Sequence, residues 1–215
     1  MYQFHIADDH PLFRSALLNV LQTHFPEVAI NESSNLDETL KCLESNPDTD
    51  ILFLDINMPG SKDLFGLISV RRKYPEIPVV MVSAWQDQKI IARSIGHGAS
   101  GYIPKSLASE SIRTAVESVL HGDYWIPDNI DLAALDKINA TEADLAEKLA
   151  SLTTQQYRVL CAIQEGLLNK QIASDLCITE STVKAHVTAI FRKLGVNNRT
   201  QAGILLNQMA IESES

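Results

Sequence analysis

Through the first 125 residues, short apolar runs alternate with segments of helical periodicity, and this alternation limits the possible folds more than any other feature of the chain. The run Ile51-Leu52-Phe53-Leu54 has no polar residue between its apolar ones, so both faces of the strand it forms are covered, as in a parallel sheet. "YQFHIADD", "EVAINES", "IPVVMVS" and "SGYIP" supply four more strands. Between and after them lie the helical segments "PLFRSALLNVLQTHF", opened by Pro11, then "LDETLKCLES", "LFGLISVRRKY", "DQKIIARSIGHG" and "ESIRTAVESVLHG", the last two ended by glycine. Five strands alternating with five helices predict an α/β domain with a five-stranded, doubly wound parallel sheet of order 2-1-3-4-5. Sites in such sheets form at the carboxyl ends of the strands.

Chemistry-bearing residues stand at those ends. Asp8 and Asp9 follow the first strand, Asp55 ends the third, Ser83 ends the fourth and Lys105 follows the fifth. A buried carboxylate is costly unless paired. Three carboxylates brought together repel unless a cation joins them, and oxygen ligands suit Mg²⁺. Lys105 and Ser83 add a cation and a hydroxyl for an anion beside the metal, which describes a phosphoryl-transfer site with Asp55 as nucleophile. Taken singly, each acid also reads as a cap or turn residue, and "DD" before a helix as an N-terminal cap. Their joint placement at one sheet edge favours the site.

Charge divides the chain. Residues 1–150 hold 12 Lys and Arg against 22 Asp and Glu, and residues 151–215 hold 6 against 5. Within 179–199, Lys184, Arg192, Lys193 and Arg199 face only Glu180. The expected organisation is a first domain over 1–125, an acidic linker over 126–150 that is helical around Glu142 to Ala150, and a second domain over 151–215. Cys42, Cys161 and Cys177 fit no zinc spacing and no disulfide framework, and read as buried thiols of a reducing cytoplasm. With no export signal at the start and no apolar stretch near the ~20 residues of a membrane span, the expected location is cytoplasmic, with no membrane partner.

After residue 150 the strands disappear. Four helical segments follow, the first opened by Thr153 and Gln156 at the spacing of a capping box. In "TESTVKAHVTAIFRKLG", Val183, Val187, Ile190, Phe191 and Leu194 fall in one arc of a helical wheel, and Ser181, Lys184, Ala185, Thr188 and Arg192 in a neighbouring one. The first arc is core. The second reads by itself as a solvated face, but "NKQIASDL" and the tight link "CI" just before it make a helix-turn-helix whose second helix suits a major groove. This half is predicted to be an all-α, four-helix DNA-binding domain.

The motifs "ADDH", "FLDINMPG", "VVMVSAW" and "GYIPKS" resemble the receiver domain of bacterial two-component response regulators, over roughly residues 1–122. The resemblance implies that Asp55 is a phosphoacceptor served by a sensor histidine kinase. It implies that Asp8, Asp9, Asp55 and the backbone carbonyl of Asn57 hold Mg²⁺, that Ser83 and Lys105 bind the phosphoryl oxygens, and that Tyr102 swings inward as Ser83 moves. Pro104 precedes Lys105 here, so no cis bond is expected after Lys105. Trp85 is bulkier than many residues at its place and is read either as a screen over the acyl phosphate or as plain packing.

"GLLNKQIA", "TVKAHV" and "KLGVNNRTQA" resemble the DNA-binding domain of the NarL/LuxR family, over about residues 152–211. That resemblance implies base contacts from Lys184, Ala185 and Thr188, phosphate contacts from Thr182, Lys170 and Arg199, and dimerisation through "TQAGILLNQMA", where Gly203 allows close approach. Arg192 joins the reading face. Leu168 stands where Ser or Thr is usual, which leaves Asn169 to cap the next helix, and His186 is expected to pack or touch backbone. Together these imply a phosphorylation-controlled transcription regulator that is not an enzyme, pairs when phosphorylated, and engages double-stranded promoter DNA and RNA polymerase. An aspartyl-phosphate enzyme is the weaker reading, since Asn57 stands where such enzymes carry a second acid. A phosphorylation-independent DNA binder is the other.

Overall fold

The computed structural model describes residues 1–127 and 140–207. They form two compact units, one within Met1–Ile138 and one within Asn139–Ser215. The first unit alternates β1 (Gln3–Ala7), α1 (Pro11–His24), β2 (Ala29–Ser33), α2 (Leu36–Ser45), β3 (Ile51–Asp55), α3 (Phe65–Lys73), β4 (Val79–Ser83), α4 (Gln88–Gly96), β5 (Gly101–Pro104) and α5 (Ser109–Leu120). The strands are parallel in the order β2-β1-β3-β4-β5.

All five residues of β3 and of β4 are buried, which is why neither shows polar alternation. Odd and even positions still serve different faces. Phe4, Ile6, Ile51, Phe53, Val80 and Val82 join Leu17, Leu21, Ile112 and Val116 in one cluster, placing α1 and α5 on that side. The intervening Leu52, Leu54, Val79 and Met81 are equally buried, so by the period of two they point to the opposite layer. Beyond β5, the backbone of Trp125 pairs with Ser100 and Tyr102 (3.2 and 3.0 Å) and covers what would otherwise be an open sheet edge. Local signals set the helix ends. Asn35 caps α2 by accepting from the Glu38 N–H, and Asp87 caps α4 by accepting from Lys89 and Ile90. Gly98 (φ +91°) follows α4 in a conformation that L side chains avoid.

The chain leaves β3 through a tight turn, Met58-Pro59-Gly60-Ser61, closed by bonds of 3.0 and 2.8 Å between Met58 and Ser61. This turn brings Ser61 against the first turn of α3. A Cβ added to Gly66 would lie 2.3 Å from Ser61 Oγ and 3.1 Å from Ser61 Cβ, so a glycine is needed there for close approach.

The second unit comprises α6 (Ala140–Ala150), α7 (Thr154–Gln164), α8 (Asn169–Asp175), α9 (Glu180–Leu194) and α10 (Arg199–Asn207). α6 packs on α9, and α10 on α7. Thr153 and Gln156 form both bonds of the capping box (3.2 and 3.1 Å). Residues 128–139 of the expected linker, and 208–210 of the expected pairing helix, lie outside the described residues. No helix among the described residues is long and apolar enough to cross a membrane.

Three expectations need correction. Asn169 does not cap α8: the extended backbone of Leu168 takes the cap position, its N–H donates to Gln171 Oε1 at 2.7 Å, and Asn169 Oδ1 instead accepts from Arg199 at 3.3 Å. Gly203 is turned toward its own α7, with Gln164 Cα 3.7 Å from where its Cβ would be. The cysteines are not buried, Cys42 and Cys161 being half-buried and Cys177 exposed in a left-handed turn (φ +52°) between α8 and α9.

The contact at Gly66 gives a test. Gly66→Ala should lower unfolding stability by about 1–3 kcal/mol in urea titration. Adding Ser61→Gly should recover most of that loss, and simple additivity of the two changes would show that the contact is not the cause.

Candidate functional site

Register brings the acids together. Ala7 pairs with Leu54, so the residues after each, Asp8 and Asp55, emerge side by side. This is where the sheet's winding reverses between β1 and β3, the place where doubly wound sheets form their crevice. Asp55 also pairs with Val82, and Ser83 with Pro104, which delivers Ser83 and Lys105 to the same edge.

Asp8 and Asp55 are almost wholly buried, with side-chain exposures of 2% and 5%. The Lys105 ammonium lies 2.6 Å from Asp8 Oδ2 and 3.3 Å from Asp55 Oδ1. Its position is braced by the Phe13 ring, whose centroid is 4.8 Å away. Asp8 is further held by its neighbours: its Oδ1 accepts from the His10 backbone N–H at 2.8 Å, and its carbonyl accepts from Arg14 at 2.6 Å. Burial, and then the Asp8 charge, push Asp55 up to about 6, while Lys105 pulls it down.

The carboxylate oxygens of Asp8, Asp9 and Asp55 and a ring nitrogen of His10 all lie within 4.8 Å of one another. Two of these atoms, Asp8 Oδ2 and Asp9 Oδ1, are buried, and among the described residues each meets one partner, the Lys105 ammonium at 2.6 Å and the His10 ring at 2.7 Å. An oxygen-rich donor set with unfilled acceptor capacity fits a hard divalent cation. Asn57 lies two residues beyond Asp55, and its side chain accepts from the Asp63 N–H at 3.3 Å.

On the other side of Asp55, Ser83 Oγ accepts from the Trp85 N–H at 3.1 Å. The Tyr102 hydroxyl donates to the Trp85 carbonyl at 2.9 Å, and burial pushes its pKa up to about 12. Trp85 is half-buried, and Gln86 donates to Ser106 at 2.9 Å, joining the loops after β4 and β5. The sequence reading missed His10, Phe13 and the Trp85 carbonyl. His10 had a signal, since it directly follows the two acids, whereas the other two depend on contacts across the fold.

In the second unit, α9 buries Val183, Ile190 and Leu194, while Lys184, Ala185, Thr188 and Arg192 are exposed. Thr179 caps α9 by accepting from the Thr182 N–H at 3.2 Å, and its hydroxyl is 2.8 Å from those of Ser181 and Thr182. Thr188 Oγ1 donates back to the Lys184 carbonyl at 3.0 Å. Lys170 is exposed in the first turn of α8, and His186 is half-buried. Arg199 stands apart from this face. Its guanidinium donates to the Leu167 carbonyl and to Asn169, tying α10 to the start of α8.

Two family models match the chain: the response regulator receiver domain over residues 4–117, and the bacterial regulatory proteins of the luxR family over 150–206. The chain belongs to the response regulators, with a receiver domain followed by a luxR-type helix-turn-helix domain. It is 43% identical over 206 residues to the glycerol metabolism activator of Pseudomonas putida, covering 94% of this chain and 93% of that protein. It is 29% identical to the nitrate/nitrite response regulator protein NarL of Escherichia coli, covering 96% and 95%. The structure of RcsB from Salmonella enterica serovar Typhimurium, bound to a promoter with the phosphomimetic BeF₃⁻, has a TM-score of 0.55 at 23% identity, covering 95% and 97%, and shares the fold.

The raised pKa of Asp55 has a consequence for stability. A carboxyl raised from 3.8 to about 6 favours the folded state fully below about pH 4, and that contribution is lost as pH rises through 6. Asp55→Asn cannot ionise, so in EDTA its stability relative to wild type should climb by about 2 kcal/mol between pH 4 and pH 8. Urea unfolding followed by Trp85 and Trp125 fluorescence reads this difference; a flat profile would mean that Lys105 fully offsets the charge.

Proposed function

We propose that Asp55 accepts a phosphoryl group from a sensor histidine kinase and that this controls promoter binding by α9. A carboxylate oxygen of Asp55 attacks phosphorus, the bond from phosphorus to the donor's imidazole nitrogen breaks, and the imidazole leaves with that electron pair. The observation that carries the reading is the buried Asp55 at the end of β3 with the Lys105 ammonium 3.3 Å away. Asp8, Asp9, Asp55 and the Asn57 carbonyl would hold Mg²⁺, which when bound offsets charge on the phosphoryl oxygens. Lys105 would neutralise the added oxygens, and hydrolysis of the acyl phosphate would return the protein to its resting form. No turnover of a separate substrate is required, in keeping with a regulator rather than an enzyme.

Ser83 links the site to the rest of the domain. Its hydroxyl turns toward a phosphoryl oxygen, which perturbs the bond it accepts from Trp85. Trp85 in turn accepts from Tyr102, so the signal reaches β5 and the start of α4 through two hydrogen bonds. Since Tyr102 is already inside, the switch is an exchange of bonds around a buried ring rather than the entry of that ring.

On DNA, α9 enters the major groove with Lys184, Ala185 and Thr188 toward base edges and Arg192 alongside. With its hydroxyl bonded to its own helix, Thr188 offers a methyl group there. Thr182 and Lys170 contact phosphates, the first beside the N-terminus of α9, where the helix dipole favours an anion. Arg199 contributes by holding α8 in place in addition to any phosphate contact. α10, with Ile204 55% exposed, supplies apolar surface for pairing in the phosphorylated form. RNA polymerase is the expected further partner at the promoter, and the cytoplasm the expected compartment.

Incubation with Mg²⁺ and acetyl phosphate should add the mass of one phosphoryl group to wild type and none to Asp55→Asn, with promoter affinity rising only in the modified protein. Unmodified protein in both cases, with normal promoter binding, would leave a phosphorylation-independent DNA binder. In the DNA-binding half, Lys170→Ala should weaken binding to all sequences and reduce the salt slope by about one. Lys184→Ala should cost about 1–3 kcal/mol at the specific site and relax its sequence preference. Identical behaviour of the two variants would contradict this division of roles.

A further inference from the structure

The cation cluster contains a ligand that the phosphoacceptor reading leaves unused. His10 Nδ1 lies 2.7 Å from Asp9 Oδ1 and 3.1 Å from Asp8 Oδ1. Its place is fixed by the backbone, because its own N–H donates to Asp8 Oδ1 at 2.8 Å and Pro11 follows at the first position of α1. The ring is 66% exposed, so an ion can reach it without any unfolding. On the inner side, Asp8 is 98% buried, and its Oδ2, with no other hydrogen-bond partner among the described residues, meets only the Lys105 ammonium at 2.6 Å.

From this geometry we infer that the site takes a second class of cation, a borderline divalent transition ion such as Ni²⁺, Co²⁺ or Zn²⁺, with His10 Nδ1 as a ligand beside Asp8, Asp9 and Asp55. The inference rests on the metal reading given under Proposed function and extends it. Metal–ligand bonds of about 2.1 Å place adjacent ligands about 3 Å apart and opposite ones about 4.2 Å apart; the four donors lie within 4.8 Å of one another, so gathering them on one ion takes side-chain movements of well under about 1 Å. Donor chemistry separates the ions. Mg²⁺ prefers oxygen and keeps several waters, so an imidazole adds little to its binding. Late first-row ions gain from each nitrogen ligand, in the order that rises through Co²⁺ and Ni²⁺. To bind, the imidazole adopts the tautomer protonated on Nε2, which presents the Nδ1 lone pair to the ion and leaves Nε2–H facing water. The carboxylates serve both classes of ion, and His10 serves one.

Occupancy of the phosphoacceptor site is thereby tied to the supply of transition ions as well as of Mg²⁺. Lys105, the ammonium beside Asp8 and Asp55, offers no lone pair to either class of ion, so it does not distinguish them. His10 does.

Calorimetric titration of the full chain with NiCl₂ and, separately, MgCl₂ tests this in wild type, His10→Ala and His10→Asn. The asparagine variant keeps a side-chain donor beside Asp9 and controls for the loss of that contact. Both variants should lose about tenfold or more in Ni²⁺ affinity while Mg²⁺ affinity changes by less than about twofold. Zn²⁺ addition should shift the ¹⁵N resonance of a single imidazole Nδ1, absent in His10→Ala. Unchanged Ni²⁺ affinity in both variants, with Mg²⁺ still binding, would overturn the inference and leave the Mg²⁺ reading intact. Failure of wild type to bind either ion would overturn the metal reading itself.

Discussion

Two carboxylates forced to the buried edge of a parallel sheet need a positive charge, and the Lys105 ammonium between Asp8 and Asp55 provides it. Everything else about the site follows from that arrangement. It requires β1, β3 and β5 to end at one level, which the register of the parallel ladders ensures. It also leaves the charges incompletely balanced, since one ammonium faces the two buried acids and the half-buried Asp9. Unpaired, such groups would cost several kcal/mol. Partly paired, they leave Asp55 with a raised pKa and the cluster with unfilled acceptor oxygens, both of which a divalent cation relieves.

The same imbalance bears on the proposed switch. A phosphoryl group on Asp55 would bring acceptor oxygens into a place already lined by Lys105 and by the Ser83 hydroxyl. Ser83 is bonded to the backbone of Trp85, and Trp85 to Tyr102, so a change at one hydroxyl cannot be absorbed locally. Tyr102 is fully buried, and the bond from its hydroxyl to the Trp85 carbonyl ties β5 to this chain of contacts. The bond between Gln86 and Ser106 adds a second link between the loops flanking Lys105, so both move together or the link breaks.

How much of this was legible before the structure depends on the range of the interactions involved. Strand and helix order could be read because it is local: an unbroken apolar run marks β3, Pro11 marks the start of α1, and the Thr153–Gln156 spacing marks α7. The gathering of Asp8, Asp55, Ser83 and Lys105 was legible too, because sheet topology alone brings strand ends together. What could not be read was anything that turned on a particular side chain meeting another far along the chain. The brace of Phe13 on Lys105 and the bond from Tyr102 to the Trp85 carbonyl are of that kind. Asn169 was misjudged for a related reason. A local capping rule selects the polar residue after Leu168, but the backbone had already placed Leu168 at the cap, and Arg199, thirty residues on, takes the Asn169 side chain.

Arg199 also shows why counting charge does not locate a DNA-binding face. Four cations lie within 179–199, yet two of them are engaged inside the domain. Lys193 donates to the Ser151 carbonyl and to Gln156 at 2.5 and 2.7 Å, holding the junction of α6 and α7 to α9, and Arg199 holds α10 to α8. These bonds satisfy carbonyls at helix ends that would otherwise lack partners. The remaining two, Lys184 and Arg192, are exposed on the one face of α9 that carries no large apolar side chain. A helix offered to the major groove needs both groups: structural cations that fix its angle against the supporting helices, and free ones that reach the duplex. Removing a cation of the first kind would disturb recognition through the position of the whole helix, whereas removing one of the second kind would leave the helix in place and subtract a single contact.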